Sequence, residues 1–235
     1  MKLAIFDIDG TLTNTNSVDD VCFVKALVVA HNISDVNTDW SAYDHTTDSG
    51  ITRQIFQEKF GRDPETSELE KLKSCFVSLL RREYDSNVSS FLEIAGAKAM
   101  LERLRQEPEW TTAIATGSWR DSAELKLKAA KIPFDGIPAA FAEDGLAREE
   151  ILQWVVSKAL ASYHLGGFEK VVSIGDGIWD VRTARRLNFA FVGVGSADKA
   201  ATLNRAGAKH VIEAFVDYQR LVSFLNSAEV PVAPE

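Results

Sequence analysis

Four aspartates stand just past two short apolar runs. Asp7 and Asp9 follow Leu3-Ala4-Ile5-Phe6, and Asp176 and Asp180 follow Val171-Val172-Ser173-Ile174. Carboxylates gathered in one crevice raise one another's pKa by whole units unless a counter-charge lies among them. Oxygen donors with no His or Cys beside them favour a hard divalent cation. Mg²⁺ is the natural choice, because it keeps several waters and binds one or two carboxylates together with a substrate phosphate. A third run, Thr112-Ala113-Ile114-Ala115, ends at Thr116-Gly117-Ser118.

The elements that must bring these residues together are legible in outline. Each apolar run reads as a buried parallel strand opening into a polar loop and then a helical pattern, and Phe189-Ala190-Phe191-Val192 before Gly193 repeats the arrangement. Strand, loop and helix in repetition predict a doubly wound parallel α/β sheet with right-handed crossovers. In such a sheet ligands bind beyond the carboxyl ends of the strands, where the aspartates stand. Ala97, Met100, Leu101 and Leu104 share a helical face, as do Ile151, Leu152, Val155, Val156, Ala159 and Leu160. Ser118 with Asp121 reads as the start of another helix, and Phe215, Leu221 and Leu225 predict a last one. Weaker strands are expected near Phe141 and over His210 to Ile212.

About a hundred residues between the first and second strands carry no strand pattern, too many for a loop in a compact domain. Val18 to Ala30, Ile51 to Phe60 and the stretch beginning at Asp63-Pro64-Glu65 read as helices, so residues 14 to 92 are expected to form a helical insertion. Within it, Trp40 to Asp48 is polar, aromatic and loop-like, suited either to reaching over a site or to joining two helices.

Composition narrows the class of function. The chain of 235 residues is 46% hydrophobic and 26% charged, enough for a core in one domain with a smaller insertion. With 26 Lys and Arg against 34 Asp and Glu, net charge −8, nucleic acid is not an expected partner. Cys22 and Cys75 lie apart in helical patterns, which leaves neither a disulfide framework nor a cysteine zinc site. Both are expected to be buried. The run Leu3 to Phe6 is far shorter than a signal-peptide core, and no run approaches the ~20 residues of a membrane span, so a cytoplasmic protein without membrane contact is expected.

Asp7-Ile8-Asp9-Gly10-Thr11-Leu12-Thr13 resembles the first motif of the haloacid dehalogenase superfamily. Thr116 after its strand resembles the second, and Gly175-Asp176-Gly177-Ile178-Trp179-Asp180 the fourth. The resemblance covers residues 1 to 13 and about 93 to 226, and the insertion between resembles the cap of many members. It implies a Rossmann-like core, residues 1–13 and 93–235, with a helical cap at 14–92, and it places the chain near the phosphoglycolate-phosphatase-like branch.

The resemblance also implies roles. Asp7 would be the nucleophile that forms an aspartyl-phosphate, and Asp9 the acid and base for the leaving group and the hydrolytic water. Asp9 also favours phosphoryl transfer over carbon–halogen cleavage, since a halide leaves without a proton and an alkoxide does not. Mg²⁺ would be held by the Asp7 carboxylate, the Asp9 carbonyl and Asp176, with Asp180 in support. Thr116 and the Gly117 amide would bind the transferring phosphoryl oxygens. The family's usual lysine before the fourth motif is absent. Arg148, at the opening of its helix, is the expected replacement, because Lys158 lies ten residues further along, ~15 Å down the helix. The expected activity is a Mg²⁺-dependent phosphomonoesterase acting on a small phosphorylated metabolite. Alternatives are a phosphomutase or other phosphotransferase, and a non-catalytic phosphate-binding or receiver-like module. Substrate and oligomeric state stay open.

Overall fold

The computed structural model describes residues 1–233. Strands β1 (Lys2–Phe6), β2 (Trp110–Ala115), β3 (Ala139–Ala140), β4 (Lys170–Gly175), β5 (Ala190–Val194) and β6 (His210–Ile212) form one sheet in the order β3-β2-β1-β4-β5-β6. Every pairing is parallel. Strand direction explains the two-sided burial of β1. Ala4 and Phe6 point into one apolar core, while Leu3 and Ile5 point into another on the opposite face. Helices cover both faces, as continuous apolar strands require. Helices α4 (Ala97–Leu104), α5 (Arg120–Ala129) and α9 (Tyr218–Ser227) lie on the first face, and α6 (Arg148–Ser162) on the second.

The strand order reverses between β1 and β4, and a parallel sheet opens a ligand crevice beyond the carboxyl ends at such a point. Asp7 leaves β1 there and Asp176 leaves β4 there. The Asp7 amide still donates to the Ile174 carbonyl at 3.0 Å, so the two strand ends are held in register up to the first aspartate.

The residues between β1 and α4 form α1 (Asn16–His31), α2 (Asp48–Phe60) and α3 (Thr66–Ser86), with one-turn helices at Trp40–Ala42 and Val88–Phe91. Their shared core is built on Phe23, Phe56, Leu72, Phe76, Leu80 and Phe91. Trp119, from the loop after β2, completes that core. Its ring is 1% exposed and packs 5.9 Å from Phe23 and 6.2 Å from Phe76. Its Nε1 donates to Ser49 Oγ at 2.9 Å. Trp119 and Ala142 of the sheet domain are thus part of the insert's interior.

Several expectations change in detail. Ser118 does not cap α5, which starts at Arg120 with Trp119 in the capping position. The Ser118 hydroxyl is directed to Asp9 instead. Thr47 caps α2, accepting from the Gly50 amide at 2.9 Å, so Asp48 is the first residue of that helix. The strand expected at Phe141 ends at Ala140, and the last helix starts at Tyr218, after Phe215. Cys22 is buried, but Cys75 is only partly so, because it sits at the edge of the α3 apolar stripe. Helices α7 (Ile178–Arg186) and α8 (Ala197–Arg205) complete the crossovers around β5. Among the described residues, no helix is long and apolar enough to cross a membrane.

Trp119→Ala removes the aromatic link between the two cores and is expected to cost about 3–5 kcal/mol. Urea unfolding of the variant beside the parent measures this, and a loss below about 1 kcal/mol would show that the insert packs independently of that ring.

Candidate active site

The turn after β1 is made by glycine. Gly10 has φ +71°, and a Cβ there would fall 2.0 Å from Asp176 Oδ2. Only glycine gives both the left-handed backbone and the room for Asp176. The Gly10 amide closes the turn on the Thr13 carbonyl at 2.7 Å. Asp7 and Asp9, two residues apart on this looping backbone, therefore point to different surroundings.

Asp7 faces the crevice. It is 6% exposed, and its Oδ1 has no hydrogen-bond partner. Oxygens of Asp7, Asp176 and Asp180 lie within 4.8 Å of one another. Burial pushes the Asp7 carboxyl well above the usual range; Arg148 opposes the shift, and the neighbouring carboxylates add to it. Asp180 is also raised, again by burial against Arg148. A cation among these oxygens would reverse both shifts.

Arg148 is the first residue of α6, and its guanidinium reaches back into the crevice. Its Nη1 donates to Asp180 Oδ1 at 2.7 Å and lies 3.7 Å from Asp7 Oδ1, while its Nε donates to the Thr46 carbonyl at 3.0 Å. Burial works against the charge, but Asp180, Asp7, Asp176 and Asp9 outweigh it and the pKa rises. Lys158, the other candidate cation on this helix, is held by the Ala139 carbonyl at 2.9 Å and by Asp144. It does not line the cleft.

Asp9 is held from three directions. Thr15 Oγ1 donates to Oδ1 at 2.5 Å, while Ser118 Oγ at 2.9 Å and Lys126 Nζ at 2.6 Å donate to Oδ2. Lys126, on α5, is 0% exposed and also pairs with Asp19 of α1 at 2.5 Å. Burial disfavours the ammonium, yet Asp19 and Asp9 more than compensate and its pKa is raised. Sequence reasoning missed this lysine because α5 carries other lysines at Lys128 and nearby Lys131, with nothing in the local pattern to separate the buried one. The available clue was its place, three residues after Ala123 and one before Leu127 on the apolar face.

Asp176 also has partners that sequence reasoning did not single out. Asn16 Nδ2 donates to its Oδ2 at 2.9 Å, and Lys199, near the start of α8, pairs with the same oxygen. Asp180 uses Oδ2 to accept from the Gly177 amide at 2.9 Å, so both its oxygens are engaged by protein groups. Thr116 is 2% exposed at the end of β2, where its Oγ1 accepts from the Ser118 amide at 3.1 Å.

The insert roofs the crevice through its Thr46 to Asp48 segment. The Asp48 amide donates to the Gly117 carbonyl at 2.7 Å, and Thr47 Oγ1 donates to the Leu146 carbonyl at 2.8 Å. Gly117 allows this approach, since a Cβ there would lie 2.8 Å from the Thr46 oxygen. The resulting cleft, about 90 Å³, is lined by Asp7, Asp9, Thr116, Gly117, Arg148 and Asp176 on the sheet side, and by residues of α1 and the 40–48 loop on the other. The structure thus brings the predicted residues to one place, with Asp180 immediately behind Arg148.

A model of the haloacid dehalogenase-like hydrolase family matches residues 1–188. No curated protein matches the chain. Among solved structures, a hydrolase from Pseudomonas syringae superposes with TM-score 0.71 at 24% identity, covering 95% of this chain and 98% of that one. A Bacteroides vulgatus chain assigned as a β-phosphoglucomutase gives TM-score 0.67 at 16% identity, with 97% and 89% covered. A Haemophilus somnus 129pt chain predicted to be a phosphoglycolate phosphatase gives 0.56 at 15%, with 94% and 98% covered.

Two consequences of the buried charges can be measured. Lys126→Met leaves Asp9 and Asp19 facing each other without their cation, and is expected to cost about 3–5 kcal/mol near neutral pH in chemical denaturation. A change under 1 kcal/mol would mean that the fold does not depend on the Lys126 ammonium between Asp9 and Asp19. Asp48 supplies a pH signature. Burial lifts its carboxyl to about 7, against the charge of Lys126 and the Trp119 amide. The folded form therefore holds the proton more tightly than the unfolded form, whose pKa is near ~3.9. This contribution to stability is complete below about pH 4 and is lost as pH rises to about 7. Asp48→Asn should match the parent at pH 4 and gain on it steadily up to pH 7, measured by unfolding without ligand. Parallel stability curves would place the Asp48 carboxylate in contact with water.

Proposed function

Because this chain belongs to the haloacid dehalogenase-like hydrolases, we propose that it is a Mg²⁺-dependent phosphomonoesterase acting on a small phosphorylated metabolite, with Asp7 as its nucleophile. The observation that supports this most directly is the Asp7 Oδ1 atom, buried, without a partner and 3.7 Å from Arg148. A carboxyl oxygen kept free at the floor of a cleft is available to attack. The residues gathered around it fit an electron-poor phosphorus with negatively charged oxygens.

In the first step Asp7 attacks phosphorus, a P–O bond to Asp7 forms, and the P–O bond to the leaving group breaks. The departing alkoxide takes a proton from Asp9. In the second step a water gives its proton to Asp9 as its oxygen bonds phosphorus, and the acyl-phosphate bond breaks to return Asp7 and release phosphate. Asp9 can serve in both directions because Thr15, Ser118 and Lys126 fix its orientation. Arg148, Thr116 and the Gly117 amide are assigned to the phosphoryl oxygens. The arginine offers a fork where a lysine would offer a point charge.

The donor set fits the implied metal. Three buried carboxylates with oxygens within 4.8 Å, without His or Cys among them, suit a hard cation. The Asp7 carboxylate, the Asp9 carbonyl and Asp176 would hold Mg²⁺, with Asp180 orienting its neighbours. When bound, the ion would neutralise negative charge around the phosphoryl group. Residues 14–92 are read as a cap that keeps bulk water from the first step.

The test is release of inorganic phosphate from 4-nitrophenyl phosphate. Turnover is expected with Mg²⁺ and lost with EDTA. Asp7→Asn should lower kcat at least 10³-fold, since no covalent step remains open to it, and Arg148→Ala should lower kcat/KM more than Lys158→Ala. Activity retained in Asp7→Asn removes the nucleophile assignment. A larger effect at Lys158 moves the phosphoryl cation there, and nitrophenol release without inorganic phosphate points to a phosphotransferase.

A further inference from the structure

The mechanism gives a role to Asp9 but none to the second carboxylate on the same ammonium. Asp19 belongs to the insert, in the first turn of α1, and lines the cleft. Its Oδ1 accepts from Lys126 Nζ at 2.5 Å. An ammonium has three protons to donate, and Lys126 finds three oxygens for them. Besides Asp19, these are Asp9 Oδ2 at 2.6 Å and Ser118 Oγ at 3.0 Å. The lysine side chain is 0% exposed, so water does not stand in for any of the three. One acceptor of an otherwise closed set is therefore supplied by the insert.

A single helical turn delivers the arrangement. Thr15 occupies the capping position of α1, yet its hydroxyl makes no cap and donates to Asp9 Oδ1 at 2.5 Å. Asp19 stands four residues on, where a helix puts side chains on the same face. The Asp19 amide donates to the Thr15 carbonyl at 2.9 Å, which fixes the two relative to each other. The Asp9 carboxyl is thus gripped at both oxygens from one turn of the insert, directly at Oδ1 and through Lys126 at Oδ2. Without the Asp19 oxygen, one buried N–H of Lys126 would lack an acceptor, a cost that the ammonium relieves by turning. Asp9 Oδ2 would turn with it, and proton transfer requires the carboxyl to lie within hydrogen-bond reach of the departing oxygen.

We propose that Asp19 is a positioning residue for the first chemical step, which holds Lys126 in place and thereby keeps the Asp9 carboxyl directed at the leaving-group oxygen. The acid is then complete only with α1 seated on the sheet domain. This rests on the phosphomonoesterase reading, which assigns Asp9 its role and leaves Asp19 without one.

Two aromatic esters of similar size separate positioning from stability. Benzyl phosphate departs as an alkoxide that needs a proton, whereas 4-nitrophenyl phosphate departs as a phenolate stabilised by its own ring. Their kcat/KM values cover the steps up to departure of the alcohol, so the later use of Asp9 as a base does not enter. Both esters are assayed with Mg²⁺ on the same preparation of the full chain. Partial unfolding lowers the two values together and leaves their ratio alone. General acid catalysis is worth ~10²–10⁴-fold, so Asp19→Ala is expected to lower the benzyl-to-nitrophenyl ratio at least tenfold. Asp19→Asn keeps an oxygen for Lys126 without the charge and should lower the ratio several-fold. Should the alanine variant be inert to both esters, the asparagine variant decides by the same ratio. An active parent whose variants keep the ratio within twofold, or raise it, would overturn this inference and leave the phosphatase standing. A parent that hydrolyses only the nitrophenyl ester overturns it too, since no proton then reaches an alkoxide. A parent inert to both esters removes the phosphomonoesterase reading and this inference with it.

Discussion

Everything at this site depends on carboxylates being forced together at the carboxyl ends of β1 and β4. Backbone pairing, not side-chain attraction, does the forcing. The parallel register carries Asp7 and Asp176 to the same edge, and the Asp7 amide is bonded across to Ile174. Without compensation such a cluster would be an electrostatic fault in the fold. Like charges at these separations cost several kcal/mol in a buried setting, the same order as the whole stability of a domain.

The compensation is distributed, and each cation comes from a different crossover helix. Arg148 opens α6, Lys126 stands on α5 and Lys199 on α8. None can reach its partner unless its helix has packed on the sheet, so the ion pairs report complete folding rather than initiate it. Lys126 goes further, because it joins Asp9 of the sheet domain to Asp19 of α1. Together with Trp119 it ties the insert to the core by one buried ionic contact and one aromatic contact. The Thr46 to Asp48 segment that roofs the cleft is held between these ties.

These contacts also explain what was and was not legible from residues alone. The sheet was readable because its strands are buried on both faces and so appear as unbroken apolar runs ending in Asp or Gly. Asp7, Asp9, Thr116, Asp176 and Asp180 could be placed because strand ends converge by topology. Arg148 could be placed by its distance along a helix. Lys126, Lys199 and Asn16 could not, since each becomes significant only through a partner more than 20 residues away in the chain. Ser118 was misassigned for a related reason. Its type suits a helix cap, but a buried carboxylate and ammonium compete for the same hydroxyl, and charged partners make the stronger hydrogen bonds. Helix α2 shows the opposite case, where Thr47 caps as its type suggests because no charge contests it.

The position of Arg148 shows how far the cluster overrides local rules. A cation at the first residue of a helix is set against the positive end of the helix dipole, an arrangement that costs a few tenths of a kcal/mol or more. Two acids in the same turn, Glu149 and Glu150, offset part of this, and Glu150 accepts from the Leu146 and Ala147 amides. The larger offset comes from Asp180 and Asp7, toward which the guanidinium turns away from the helix axis. A residue disfavoured by its own helix is therefore retained by charge located 30 or more positions distant in sequence.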